Sequence, residues 1–194
     1  MASTGFTIGK FRESAGMKKG VARPNLFSVT LTNVPSSANL PKDHFPFQCK
    51  IATIPPSTLG VIEVPYFGRM IKIPGNRTFD NLSVTVINDE EYTIRNAIEK
   101  WMASYNSHEG NKSSTSGAES KAGIEIKHFD IKGEQSGSWH FVNCFPVSLG
   151  EIGLDWGSND TAEEFSIDFA YDYWHSKGGA QGGGTSLSFS SDTN

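Results

Sequence analysis

Residues 164–174 read EFSIDFAYDYW, and this stretch decides the fold class. Phe165, Ile167, Phe169, Tyr171 and Tyr173 share one parity, while Glu164, Ser166, Asp168, Ala170 and Asp172 share the other. Successive side chains of an extended chain point to opposite faces, so strict alternation predicts a strand with one buried and one wetted face. Here the buried face is aromatic and the wetted face acidic. The same period recurs upstream: Leu82, Val84 and Val86 alternate with Ser83, Thr85 and Ile87, and Phe27, Val29 and Leu31 with Ser28, Thr30 and Thr32. With 20 Gly and 9 Pro in 194 residues, turns are favoured over long helices, and a β-rich single domain follows.

Pro and Gly punctuate the rest. Residues 34–46 hold Pro35, Pro41 and Pro46 and read as an extended loop; the next strand begins at Phe47, with Phe47, Cys49 and Ile51 on one face and Pro55-Pro56 at its end. From Val61 to Ile73 an apolar run interrupted by Pro65 and Gly68 predicts one bent strand. Pro74-Gly75-Asn76 predicts the turn that joins it to the 82–87 strand as a long hairpin. Ile124 and Ile126 give way to Phe129 and Ile131 with a phase slip at Lys127-His128, as a β-bulge produces. Trp139, Phe141 and Phe145 share one parity and Val142 and Cys144 the other, which predicts a strand buried on both faces. One helix is expected: Asn88 and Glu91 have capping-box spacing, and Ile94, Ala97, Ile98, Trp101 and Tyr105 recur at i, i+3, i+4 and i+7.

The ends and one loop lack such patterning. Residues 1–22 read as an N-terminal arm, 23–175 as the folded domain, and 176–194 as a flexible Gly/Ser-rich tail in which Leu187 and Phe189 form a small apolar patch. Residues 106–121, NSHEGNKSSTSGAESK, hold almost no apolar side chain and predict an exposed mobile loop.

Charge and motif spacing narrow the chemistry. A net charge of -4 and a pI near 5.7 lack the basic field that neutralises phosphates, so tight DNA binding is not expected. No run of about 18 apolar residues and no signal-like N-terminus occurs, so no membrane segment is expected and the chain should fold in the cytoplasm. Cys49 and Cys144 sit in apolar surroundings and read as reduced core thiols without metal-ligand spacing. Asp130, Asp155, Asp168 and Asp172 with His128, His140 and His175 are the acid–base candidates, but they form no recognised motif, and solvation accounts for them. The glycines from Gly179 to Gly184 have no Gly-Lys-Ser and read as a linker rather than a phosphate loop. No catalytic, cofactor-binding or metal residue is expected, and no enzymatic activity. Arg23 with Asn25, and Arg77 with Asp80, are candidate inter-subunit contacts; spacing alone favours local turn chemistry for them.

Several stretches resemble the tail tube proteins of contractile-tailed (myovirus-type) bacteriophages, in that family's order: ARPNLF (22–27), FQCK (47–50), GNRTFDNLSVTVINDEE (75–91), LDW (154–156) and FAYDYW (169–174). The resemblance implies a mainly β fold, an antiparallel β-barrel or sandwich with one flanking α-helix. It implies a structural subunit that assembles as stacked hexameric rings into a conduit for genome ejection, with a strand hairpin from each subunit joining its neighbours in a lumen-lining barrel. The implied partners are the tail sheath, baseplate, tail terminator and tape measure proteins, with DNA passing through the lumen without specific binding; the implied location is the virion. The arm, the 106–121 loop and the tail depart from the family pattern and inherit no role. A bacteriocin or contractile injection particle tube is the near alternative, and a monomeric glycan-binding β-sandwich the alternative of another class.

Overall fold

The computed structural model describes residues 21–41, 43–114 and 120–177. Most of the N-terminal arm, residues 115–119 of the polar loop and the tail beyond 177 lie outside the described residues. In chain order the elements are β1 (Phe27–Thr32), a 3-10 turn (Ser36–Ala38), a single helical turn α1 (Phe45–Gln48), β2 (Cys49–Thr53), β3 (Ser57–Tyr66), β4 (Arg69–Phe79), β5 (Leu82–Ile87), α2 (Thr93–Tyr105), β6 (Ala122–Phe129), β7 (Gln135–Leu149), β8 (Glu164–Ala170) and β9 (Tyr173–Ser176).

The β-branched run of β5 buries Leu82, Val84 and Val86 and pairs β2 on one side and β8 on the other. The full order is β1-β6-β7-β8-β5-β2, antiparallel throughout, with β9 added to β7. What folds this sheet over is β7, whose 15 residues pair β6 and β9 in their first half and β8 in their second. Its alternation changes phase at Asn143, where φ is 59°. Phe141 is buried before that residue, and Cys144 and Pro146 after it. The expected strand buried on both faces is therefore a strand whose buried parity shifts along its length, from Phe141 to Cys144 and Pro146 across Asn143. Val29, Leu31, Ile124 and Ile126 from one half of the sheet meet Val84, Phe165, Ile167 and Phe169 from the other in one core. The outer strands β1 and β2 approach each other across a cleft lined by Phe27, Ala52, Ile126 and Trp139.

Helix α2 closes the core with Ile94, Ala97, Ile98 and Trp101 buried, as its spacing predicts. Its start differs from the expected capping box. The helix begins at Thr93, where the Asp89 carboxylate accepts the Thr93 amide at 2.8 Å and also the Thr93 hydroxyl, while Asn88 turns away to donate to Glu163. An acidic acceptor at this helix end satisfies an orphan N–H and complements the helix dipole. Trp101 is 0 % exposed, and its indole N–H donates to the Ser120 carbonyl at 2.9 Å. The described ends of the 106–121 loop are thus docked rather than free: Ser114 N–H donates to the Ser104 carbonyl at 3.0 Å, and the Ser120 carbonyl also accepts the Tyr105 hydroxyl. Carbonyls of the last helical turn lack intrahelical donors, and the polar loop supplies one.

Three further expectations change, and a fourth is met at a neighbouring position. The 164–174 alternation is two strands, because the chain turns at Tyr171-Asp172, where the Asp172 N–H donates to the Val142 carbonyl at 3.1 Å, and resumes as β9 against β7. Phe47 belongs to α1, whose Pro46 suits a helical first turn, so the strand starts at Cys49. A register break between Cys49 and Ile51 turns Ile51 outward. The 61–73 stretch is two strands, with its reversal at Phe67-Gly68, and Pro74-Gly75-Asn76 lies inside β4. The slip expected at Lys127-His128 is present as a register break between His128 and Phe129; Ile131 falls in the following turn and is exposed.

Candidate assembly surface

Strands β2 and β5 pair as far as Thr53↔Ser83, and their continuations β3 and β4 pair again from Ser57↔Phe79 to Tyr66↔Arg69. Pro55-Pro56 and Asp80-Asn81 separate the two ladders, and β3 and β4 form a sheet of their own. The ten residues of β3 give an arm of about 33 Å at a typical strand rise. At its tip Phe67 and Gly68 have φ of 43° and 80°, the left-handed pair that two-residue hairpins require. Phe67 is 92 % exposed. A bulge interrupts the ladder between Leu59 and Val61, where a Cβ on Gly75 would lie 3.1 Å from the Gly60 carbonyl oxygen. Glycine at both positions lets the two backbones approach.

The pairing sorts the arm into two faces. Ile62↔Ile73 and Val64↔Ile71 make one face aliphatic, while the other carries Val61, Pro65 and Met70 around the Glu63–Lys72 ion pair at 3.7 Å. All of these side chains are exposed. Among the described residues no other strand pairs with β3 or β4, so both outer edges of the hairpin present free backbone donors and acceptors. An exposed apolar strand with open edges is a template for pairing with another chain. The base of the arm is fixed: Phe79 packs at 6.1 Å from Tyr171 and 6.4 Å from Trp174, and the Tyr171 hydroxyl donates to the Asp80 carbonyl at 2.5 Å. Burial, then the nearby Asp80 carboxylate, pushes the Tyr171 phenol up to about 12, so it remains a donor.

The sequence-derived residues are not brought together. Arg23 and Asn25 lie exposed ahead of β1, and the Arg23 carbonyl accepts the Leu26 N–H and pairs with His128 Nε2 at 2.7 Å. Their turn reading thus has a backbone basis. Arg77 lies in no turn: it stands exposed on β4 opposite Leu59. Asp80 sits in the link to β5, with its carbonyl holding Tyr171. Among the described residues no ion pair joins Arg77 to Asp80.

The acid–base candidates are dispersed. Asp130 accepts the Lys132 and Glu134 amides, Asp155 the Gly157 amide, and Asp172 pairs Lys121 at 3.5 Å. His140 stacks on His175 at 5.2 Å, with Glu125 3.6 Å away, and His128 contacts Ser136. Burial pushes both Cys49 and Cys144 up to about 12.

A folded-over antiparallel sheet, one helix across it and an arm with nothing among the described residues to pack on beyond its base define a tail-tube type of fold. A chain in the cryo-EM structure of an extracellular contractile injection system, PVC sheath/tube terminator in extended state, superposes with a TM-score of 0.60 at 20% identity, covering 82% of this chain and 99% of that one. One in the 6-fold symmetrised anti-feeding prophage baseplate superposes at 0.59 with 16% identity, covering 81% and 95%. Residues 22–177 match the phage tail tube protein family. The tail tube protein of Enterobacteria phage T4 is 35% identical over 162 residues, 79% of this chain and 90% of the relative; that of Serratia phage KSP90 is 28% identical over 170 residues, 85% and 94%. The chain belongs to the phage tail tube protein family and is a structural component of the virion.

Proposed function

We propose that the chain assembles as hexameric rings that stack into the tube of a contractile tail and form the conduit for genome ejection. The observation that carries this is the β3–β4 hairpin, whose apolar faces and open edges are left for neighbouring copies. Sixfold geometry is supported by the 6-fold symmetrised assembly in which a chain of this fold occurs. The wall follows from strand arithmetic. Six hairpins alone give about 12 strands and a backbone diameter of roughly 24 Å, too narrow for a duplex of roughly 20 Å once side chains are added. Four strands per copy give about 24 strands and roughly 48 Å. The ladder β2-β5-β8-β7 supplies four strands and continues into the hairpin.

The outward face of that ladder carries Ser83, Thr85, Ser166 and Asp168, with Lys50 bonded to Glu164. Small hydroxyls and a neutralised cation give DNA no basic surface on which to stall, in keeping with passage without specific binding. Arg23, Asn25, Arg77 and Asp80 are proposed inter-subunit contacts, since their side chains are exposed and Arg77 and Asp80 flank the hairpin base. The sheath, baseplate, terminator and tape measure proteins are the proposed partners, with assembly in the host cytoplasm. Structures of this fold come from a baseplate, a sheath/tube terminator and a sheath-tube complex, which supports the first three. Cryo-microscopy of the purified chain tests the reading: stacked six-membered rings are expected, and monomers alone, even with baseplate proteins added, overturn it.

A further inference from the structure

The loop between β7 and β8 carries an apolar projection that neither the fold nor the hairpin accounts for. Trp156 is fully exposed and Leu154 is 81 % exposed. The loop is nonetheless held. Gly150 N–H donates to the Ser166 carbonyl at 2.7 Å, Arg95 Nη1 to the Gly150 carbonyl at 3.1 Å, and Asn88 N–H to the Glu163 carbonyl at 2.8 Å. Ile152 packs against the core. Next to the tip, Asp155 accepts the Gly157 amide at 3.0 Å through its carboxylate and the Ser158 amide at 3.1 Å through its carbonyl. A fully wetted indole on a turn braced in this way is presented to solvent by the loop's own hydrogen bonds, and aromatic anchors of this kind dominate protein interfaces.

The same chain offers a matching receptor. Met102, Tyr105, Lys121, Phe145 and Pro146 line a mostly apolar cavity of about 410 Å³. Arg95, which holds the loop, lies in the first turn of α2, whereas Met102 and Tyr105 lie in its last turns, about 10 to 15 Å further along the axis. Projection and cavity thus belong to opposite ends of one helix. The loop is acidic, and one cation stands at the cavity rim. Residues 150–163 carry Glu151, Asp155, Asp160 and Glu163 and no Lys or Arg. The cavity rim carries Lys121, 5.8 Å over the Phe145 ring and 3.5 Å from the exposed Asp172. An ammonium beside an apolar cavity favours an incoming indole through its ring face.

We propose that Leu154 and Trp156 of one copy dock into the Met102–Tyr105–Phe145–Pro146 cavity of the next. The contact uses two different patches, so it is head-to-tail and propagates into a ring or filament rather than closing as a twofold dimer. It rests on the tube reading, and it adds a second contact, separate from the hairpin, to whatever the hairpin supplies. The test uses the full-length chain. S158C, two residues from the Trp156 anchor, and N106C, beside Tyr105 at the cavity, keep both docking partners; they are prepared singly, mixed, assembled and oxidised with copper–phenanthroline, and the native thiols, held up to about 12 by burial, stay out of the reaction. A disulfide joining position 158 to position 106 is expected in the mixture alone. A 158–158 disulfide, or polymer without cross-link, overturns the contact while leaving the tube intact. Wild-type chain that forms no polymer overturns the tube reading and this contact with it. Trp156→Ala, at a site that touches no core, should raise the critical concentration at least tenfold; an unchanged value overturns the proposal.

Discussion

Replacing Ile71 with Asp separates folding from assembly. Ile71 sits mid-arm opposite Val64 and is 49 % exposed, and among the described residues no core residue lies against the hairpin beyond its base. In the isolated subunit the change is a surface substitution, within about 0.5 kcal/mol, which moves the melting temperature by about 2 °C or less in a chain of this size. On the proposed tube reading the same position is covered by a neighbour. Burying the remaining half of an Ile contributes about 1 kcal/mol, and an unpaired carboxylate in its place costs roughly 2 kcal/mol or more. A loss of about 3 kcal/mol per contact is about a hundredfold in affinity. Pelleting against concentration, with negative-stain images of the pellet, reads the critical concentration, and thermal melts of the soluble fraction read the fold. The expected result is a critical concentration raised about a hundredfold at nearly unchanged melting temperature, with Ile71→Val close to wild type. A melting temperature lowered by more than about 6 °C would mean that the arm packs on the core; an unchanged critical concentration would mean that it packs on nothing.

Trp101→Ala removes a fully buried indole and its bond to Ser120, and should destabilise the subunit by about 3 to 5 kcal/mol in chemical denaturation. Asp89→Ala removes the helix-start acceptor and should cost about 1 kcal/mol near neutral pH. Burial raises the Asp89 carboxyl, but the Thr93 hydroxyl and amide outweigh it and hold it below the usual value. A depressed acid stabilises the fold above its unfolded pKa, and that contribution fades as pH falls through the folded one. The melting-temperature gap between wild type and Asp89→Ala should therefore shrink below about pH 4. Cys49 and Cys144, held at about 12, should react with a thiol reagent at pH 8 only after denaturant is added.

The elements legible in the sequence are those whose pattern and packing share one cause. Leu82, Val84 and Val86 alternate because one face of β5 meets the core, and Ile94, Ala97, Ile98 and Trp101 recur at helical spacing because one stripe of α2 does. Alternation fails to report a strand's end when the chain turns without breaking parity. Tyr171 and Tyr173 continue the phase of Phe169, yet the backbone leaves β8 at Ala170 and starts afresh as β9 on β7. The change of buried parity in β7 was hidden for the converse reason: a single left-handed residue, Asn143, alters the phase, and nothing in its neighbours announces a positive φ. At the helix start two acceptors, Asp89 and Asn88, stood within reach, and only the fold decides that Asn88 is spent on Glu163.

The hairpin differs from its expected form for a physical reason. A reading of apolar patterning assumes that apolar side chains mark a core of the same chain, and from Val61 to Ile73 this arm has apolar residues on both faces and no core among the described residues. Its reversal is encoded by one glycine, Gly68, while the stronger-looking Pro74-Gly75 pair serves the bulge against Gly60. Leu154 and Trp156 are the same case: apolar residues that their own sheet leaves exposed. In each case the residues are apolar, the backbone around them is braced by hydrogen bonds, and their own fold leaves them wet. An apolar side chain held in water by an ordered backbone lacks the burial that offsets the cost of holding it there. On the tube reading proposed above, the missing burial comes from another copy, so the places where the sequence pattern and the described subunit disagree are also the places where subunits are expected to meet.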